Sequence, residues 1–284
     1  MLAMVALNEL FLALDVYLAH GANGTIVPNE WHPIYFGLCS GLLLILAGSI
    51  ATRHRTLAST IATATLLGSA IIGFFGVYFH LERAILPTAP HGERLTLDLL
   101  IWAPPVMGPL AFALVGLLGI SAAWEESPVA SGRLKIFKTF ALQLPYSKTR
   151  AYIFTISMGM LAALVSSVLD HARTGFDNPW LWLAAATGIF GTVVPVAFAS
   201  LEKPSRLDLY TYVAAMLLLL ASGAIGAYLH IQANLVFEYT VVFERFLRGA
   251  PPLAPLLFAN MGLLGLIALL DPDFVQLGPK DSST

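Results

Sequence analysis

Long apolar runs of close to 20 residues alternate with short polar stretches along almost the whole chain. An α-helix needs about 20 mostly apolar residues to cross the roughly 30 Å hydrocarbon core of a bilayer. The pattern therefore predicts an all-α integral membrane protein with about eight transmembrane helices, named segments 1 to 8. In chain order the segments are Leu2–Ala19, Ile34–Thr52, Leu57–Leu81, Leu100–Trp124, Ile153–Asp170, Trp180–Leu201, Leu209–Gln232 and Leu253–Leu270.

The composition excludes several classes of protein. Of the 284 residues, 57% are hydrophobic and only 11% are charged, whereas about a quarter of the residues in a soluble domain are charged. An ordinary soluble enzyme and a nucleic-acid-binding protein are therefore excluded. The single cysteine, Cys39, rules out both a disulfide framework and a cysteine-clustered metal site.

The distribution of basic residues predicts the orientation in the membrane, because cytoplasmic loops retain Lys and Arg during insertion. The loops after segments 2, 4 and 6, together with the C-terminal tail, hold ten of the fifteen Lys and Arg residues. Those loops are therefore expected on the cytoplasmic side. Both termini are then cytoplasmic, and a bacterial inner membrane is the expected location.

The longest polar loop divides the chain close to its midpoint. It is rich in charged residues, Ser, Pro and Gly, which is typical of a linker. The expected organisation is a first four-helix repeat at residues 1–124, a cytoplasmic linker at 125–150, a second four-helix repeat at 151–272 and a cytoplasmic tail at 273–284.

Two local sequence motifs occur once in each half. Segments 3 and 7 share the pattern Gly-x-x-Gly-x-Tyr-x-His, which ends at His80 and at His230. Segments 4 and 8 share a twelve-residue stretch that begins at Pro109 and at Pro255, with eight identical positions, and Ala-Pro-Pro precedes each stretch. Because each repeat has an even number of helices, the halves are predicted to have the same orientation, related by an axis along the membrane normal.

Four histidines are predicted at the outer ends of the helices. They are His20, His80, His171 and His230. Imidazoles at similar depth are candidate ligands of haem iron or of a transition metal. If each half holds its own cofactor, the ligand pairs are His20 with His80 and His171 with His230.

Glycines and carboxylates accompany these histidines. Small residues on the same helix face as a histidine would let a flat macrocycle, or another helix, approach closely; they are Gly73, Gly76, Gly223 and Gly226. Glu82 and Asp170 lie next to two of the histidines and could orient an imidazole or supply an oxygen ligand. The alternative interpretation is that glycines and histidines serve only helix packing and interfacial anchoring.

The predicted plan, two parallel four-helix halves with outer histidine pairs, resembles haem A synthase. The acidic-x-x-His-Arg signature of that family is absent from this sequence. The resemblance is therefore one of architecture and implies no activity.

Segment 1 carries two ionisable residues within the predicted membrane span, Glu9 and Asp15. Charged side chains are costly in hydrocarbon and are expected to face the protein interior. Two interpretations are open: the two residues belong to a polar path along the helix, or they make buried polar contacts within the bundle.

The functional hypothesis from the sequence is a membrane subunit of an electron-transfer complex. Haem or a metal near the outer face would exchange electrons with a quinone-like carrier or with a partner subunit. One alternative is a cofactor-free membrane anchor for an extracytoplasmic or membrane protein partner. A second alternative is a small-solute transporter that uses Glu9 and Asp15.

Overall fold

The computed structural model describes residues 1–22, 24, 26–136, 140–235 and 239–271. The predicted tail at 273–284 lies outside the described residues. Helices dominate the described chain: α1 Leu2–Ala22, α2 Trp31–Ile50, α3 Arg55–Ala84, α4 Leu97–Trp102, α5 Met107–Ala123, α6 Lys148–Ala172, α7 Leu181–Ser200, α8 Arg206–Asn234, α9 Phe243–Arg248 and α10 Leu256–Ala268. A short 3-10 turn, Pro28–Glu30, precedes α2.

Six of the helices in the described ranges are long and apolar enough to cross a bilayer: α1, α2 with its preceding turn, α3, α6, α7 and α8. Large apolar side chains on these helices are exposed, among them Leu42, Phe74 and Val193. A lipid environment accounts for this exposure, because hydrocarbon tails are as apolar as leucine. The chain is therefore an all-α protein with membrane-spanning helices. Two shorter apolar helices, α5 and α10, contain 17 and 13 residues.

Segment 4 is divided in the structure. A single helix was expected over Leu100–Trp124, but α4 ends at Trp102 and α5 begins at Met107. The intervening residues include Pro104 and Pro105. Proline lacks a backbone N–H and disfavours the helical conformation of the residue before it, so two successive prolines end α4.

The predicted linker contains a small antiparallel sheet. Its strands are β1 Glu125–Glu126, β2 Arg133–Lys135 and β3 Ala141–Gln143, in the order β1-β2-β3. Leu134 lies opposite both Glu126 and Leu142. The buried Glu126 carboxylate accepts hydrogen bonds from the Gly132 N–H at 2.5 Å and from the Lys148 N–H at 3.1 Å. This carboxylate therefore ties the sheet to the start of α6.

The chain forms two compact units, each with its own apolar core. The first unit contains Met1–Ile120 and Ala162–Ala185, and the second contains Ser121–Leu161 and Ala186–Thr284. Fully buried side chains in the first unit include Leu44, Leu66 and Phe112, and those in the second include Ile156, Tyr212 and Leu264. The division into two four-helix repeats stays a prediction.

Glycines bring α5 against α3 in the first unit. A Cβ atom added at Gly73 would lie 2.5 Å from the Ala113 nitrogen. In the second unit, a Cβ atom at Gly223 would lie 2.5 Å from the Ala259 nitrogen, so α10 packs on α8 in the same way. The two contacts involve matching positions of the two sequence motifs. The repeated glycines therefore take part in the same local helix contact in each unit.

Candidate functional site

The first unit gathers four polar side chains at one end of its helices. His20 lies in the last turn of α1, Glu30 ends the short turn before α2, and His80 and Arg83 lie near the end of α3. We name this group the histidine cluster. The His20 and His80 rings meet edge to face, with their centroids 6.1 Å apart. The two histidines that the sequence paired in the first half are therefore neighbours.

Both histidines of the cluster are oriented through the same ring nitrogen. The Nδ1 atom of His20 lies 2.9 Å from the Val16 carbonyl oxygen, and that of His80 lies 3.0 Å from the Pro105 carbonyl oxygen. A carbonyl oxygen only accepts hydrogen bonds, so each Nδ1 carries the proton. In a neutral imidazole, the Nε2 atom then has a free lone pair, as in metal-binding histidines whose other nitrogen donates to a carbonyl.

Close packing of α5 on α3 places the carbonyl group that orients His80. A Cβ atom at Gly76 would lie 2.5 Å from the Cβ atom of Pro109, at the start of α5. Pro105 lies four residues before Pro109. The face of α3 that carries Gly73 and Gly76 therefore contacts the α5 helix. A helix contact is the role that the alternative interpretation gives to these glycines.

Glu30, like Arg83, is a residue of the cluster that the sequence-based reasoning did not single out. Its Oε2 atom accepts a hydrogen bond from the Val27 N–H at 3.0 Å. Its Oε1 atom lies 3.5 Å from Arg83 Nη2 and 3.9 Å from His20 Nε2. A detectable signal existed, because Glu30 is the one acidic residue between segments 1 and 2.

The two carboxylates predicted beside the histidines differ in their surroundings. Glu82 is exposed on α3. Asp170 lies 3.7 Å from Arg173, with Oδ1 facing Nη2. The Arg173 guanidinium also donates hydrogen bonds to the carbonyl oxygens of Ile101 at 2.7 Å and Ala103 at 3.2 Å. Arg173 therefore links the loop after α6 to the end of α4.

The other two histidines have different surroundings. His230 repeats the arrangement of His80, because its Nδ1 atom lies 2.8 Å from the Pro251 carbonyl oxygen. Gly223 and Gly226 pack this end of α8 against Ala259 and Pro255. The Nδ1 atom of His171 lies 3.4 Å from the Ser167 hydroxyl oxygen. His171 belongs to the first unit and His230 to the second, so their pairing stays a prediction.

The two intramembrane carboxyl groups differ in burial. Glu9 is fully buried, whereas Asp15 is only partly buried. The Glu9 Oε1 atom lies 2.5 Å from the Ser69 hydroxyl oxygen, which in turn lies 2.9 Å from the Phe112 carbonyl oxygen. The Ser69 contact was not anticipated from the sequence. Glu9 therefore faces the interior of the first unit, as expected for an ionisable residue in a membrane helix.

The described part of the chain holds no preassembled group of three or more His, Cys, Asp and Glu side chains that could bind a metal ion. In the histidine cluster, the 3.9 Å between Glu30 and His20 exceeds the separation expected between neighbouring ligands of one ion with bonds of about 2.0–2.2 Å at a tetrahedral angle. Comparisons with family profiles, curated proteins and solved structures find no match to this chain.

Proposed function

We propose that the protein is a membrane subunit of an electron-transfer complex and that the histidine cluster holds a redox-active transition metal. The observation that carries this proposal is the shared orientation of His20 and His80. Each ring has its Nδ1 proton bound to a backbone carbonyl, and the ring centroids lie 6.1 Å apart. Two oriented imidazoles that can each offer an Nε2 lone pair are a suitable donor set for the redox-active metals Fe and Cu.

Glu30 is the proposed third ligand. Two histidines and one carboxylate are the donor set of many non-haem iron sites. In the described state the Glu30 carboxylate is paired with Arg83 at 3.5 Å. Side-chain rotations that bring Glu30 and the two Nε2 atoms together would complete the site and release Arg83. Haem iron between the two imidazoles is the alternative cofactor, and a quinone-like carrier is the proposed electron partner.

The proposal includes the finer architecture expected from the sequence. The helices α5 and α10 complete two groups of four membrane helices with the same orientation, and both termini lie on the cytoplasmic side of a bacterial inner membrane. Its support is the matching contacts of α3 with α5 and of α8 with α10, together with the distribution of Lys and Arg.

A second candidate function is a cofactor-free anchor for a partner protein. The observation that favours it is that the glycines and histidines of the repeated motif all have packing or hydrogen-bond contacts. Gly73 and Gly223 contact neighbouring helices, and His80 and His230 bond the turns before α5 and α10. An anchor needs no other role for these residues.

Metal binding by purified variants distinguishes the two functions. The protein is stripped with chelator and titrated separately with Fe²⁺, Cu²⁺ and Zn²⁺. We expect one ion per chain at the histidine cluster, with an affinity that falls at least about 100-fold in His20→Ala and His80→Ala, because loss of a ligand exceeds the 10–100-fold effect of residues around the ligands. His32→Ala is the matched control, since His32 is an exposed histidine at the start of α2.

The electron-transfer part of the proposal has its own readout. Protein loaded with the oxidised metal, Cu²⁺ or Fe³⁺, is expected to change its absorbance when a soluble quinol is added, because the quinol is oxidised and the metal reduced. His80→Ala is expected to abolish that change. Tight metal binding without reduction by quinol or dithionite would contradict the redox role. Equal binding by wild type, His20→Ala and His80→Ala would contradict the site and favour the anchor.

A further inference from the structure

Glu9 occupies the interior of the first unit, away from the histidine cluster. Its side chain is fully buried. Its Oε1 atom contacts Ser69 of α3, and the Ser69 hydroxyl also lies near the Phe112 carbonyl oxygen of α5. The Glu9 backbone faces α2, where a Cβ atom added at Gly37 would lie 2.8 Å from the Glu9 carbonyl oxygen. Among the described residues, no cationic side chain forms an ion pair with Glu9, and its Oε2 atom has no hydrogen-bond partner.

The hydrogen-bond contacts of Ser69 indicate whether the Glu9 carboxyl group is protonated. The Ser69 hydroxyl oxygen lies close to two oxygens, Glu9 Oε1 at 2.5 Å and the Phe112 carbonyl oxygen at 2.9 Å. A serine hydroxyl has one proton, and a carbonyl oxygen has none to donate. One shared proton would give a three-centre bond, whereas two full hydrogen bonds form when Glu9 supplies the second proton. Glu9 then donates to Ser69, and Ser69 donates to the Phe112 carbonyl.

Burial leads to the same conclusion. An ionised carboxylate without a cation is very costly to bury, whereas a neutral acid loses much less on leaving water. The unpartnered Oε2 atom would be the carbonyl oxygen of the neutral acid. A single missing hydrogen bond at that atom is a modest cost compared with an uncompensated charge.

The second half of the sequence shows that this position does not require a polar pair. Glu9 lies eleven residues before His20, and Met160 lies eleven residues before His171. Ser69 lies eleven residues before His80, and Leu219 lies eleven residues before His230. Met160 and Leu219 are both fully buried. Apolar side chains therefore fill the corresponding positions, and packing alone does not explain a carboxyl group in the first half.

We propose that Glu9 is a proton-binding site of the first unit, held as a carboxylic acid by Ser69 and exchanging its proton with water. Binding forms the O–H bond at Oε1, and release leaves the carboxylate. The bound species is the proton itself, and the site is independent of any metal at the histidine cluster.

Infrared spectroscopy of the full-length protein in nanodiscs tests this proposal. A protonated carboxyl group has a C=O stretching band at higher frequency than the bands of a carboxylate. We expect the wild-type-minus-Glu9→Gln difference spectrum to show this band. It is expected to shift to higher frequency in Ser69→Ala, because the acid loses its acceptor, and to lower frequency in D₂O, because the proton exchanges. Asp15→Asn is the control and is expected to leave the Glu9 band in place.

A double variant keeps the test independent of folding. Glu9→Met with Ser69→Leu takes the residues found at the corresponding positions of the second half, and we expect an equal or higher thermal transition with complete loss of the band. A wild-type spectrum without a Glu9 acid band would overturn the proposal, because Glu9 would be ionised. A band that does not shift in Ser69→Ala would overturn the proposed hydrogen bond between Glu9 and Ser69. A band that does not shift in D₂O would overturn the proposed exchange of the Glu9 proton with water.

Discussion

Replacement of Gly73 by alanine tests the packing that positions His80. The added Cβ atom would lie 2.5 Å from the Ala113 nitrogen, about 0.9 Å short of the 3.4 Å at which ordinary contact begins. The obstructing atom belongs to the α5 backbone, so a side-chain rotation cannot relieve the clash. The α3 and α5 helices must separate, and the Pro105 carbonyl oxygen must move away from its 3.0 Å contact with His80.

Two opposing terms determine the size of the effect. Overpacking in a closely packed interior costs about 1–3 kcal/mol, and a clash with backbone belongs at the upper end. Alanine returns about 1 kcal/mol through its greater helix propensity. The expected result is a loss of about 2 kcal/mol in the free energy of unfolding for Gly73→Ala.

Thermal unfolding in a fixed detergent, monitored by circular dichroism, measures this loss. Gly223→Ala is expected to destabilise by a similar amount, because its Cβ atom would meet the Ala259 nitrogen at the same distance. Gly21→Ala is the matched control: a Cβ atom at Gly21 has no neighbour within 4 Å, so the variant is expected to be as stable as wild type or more so. If Gly73→Ala behaved like Gly21→Ala, the close contact of α3 and α5 would be refuted.

Three further predictions address other parts of the fold. Tyr212→Phe removes a buried 2.8 Å hydrogen bond to a carbonyl of α10 and is expected to cost about 1 kcal/mol in thermal unfolding, whereas the same change at the exposed Tyr210 should cost almost nothing. Glu126→Ala leaves the buried Gly132 N–H and the partly buried Lys148 N–H without this acceptor and is expected to cost about 2 kcal/mol; no loss would contradict the link between sheet and α6. Reporter fusions at Ser127 and Arg94 are expected on opposite sides of the membrane, and the same side would contradict the topology.

The long helices could be predicted from hydrophobicity alone. Each of them carries apolar side chains over most of its length, both on the face that packs in the protein core and on the face that is exposed. Segment 3 was expected at Leu57–Leu81 and the helix extends over Arg55–Ala84. Segment 7 was expected at Leu209–Gln232 and the helix extends over Arg206–Asn234. The added turns are partly polar, so an apolar run does not include them, although Ser205 and Asp208 form a capping box that marks the start of α8.

Short elements and long-range contacts could not be predicted in this way. Strands of two or three residues are too short for an alternating pattern, so the sheet inside the expected linker had no signal of its own. Glu30 joins the histidine cluster because the turn before α2 brings it back to His20. The Ser69 contact with Glu9 depends on the packing of α3 against α1, 60 residues apart in the chain.

The central claim is that the His20 and His80 imidazoles hold a redox-active metal. The most direct test is the metal content and absorbance spectrum of the purified wild-type protein, measured beside His80→Ala and His230→Ala. We predict that the wild-type protein contains a stoichiometric transition metal or haem iron. His80→Ala is expected to lose the metal of the first half, and His230→Ala is expected to keep it. Wild-type protein that contains no metal, shows no absorbing cofactor and takes up no metal on titration would contradict the claim.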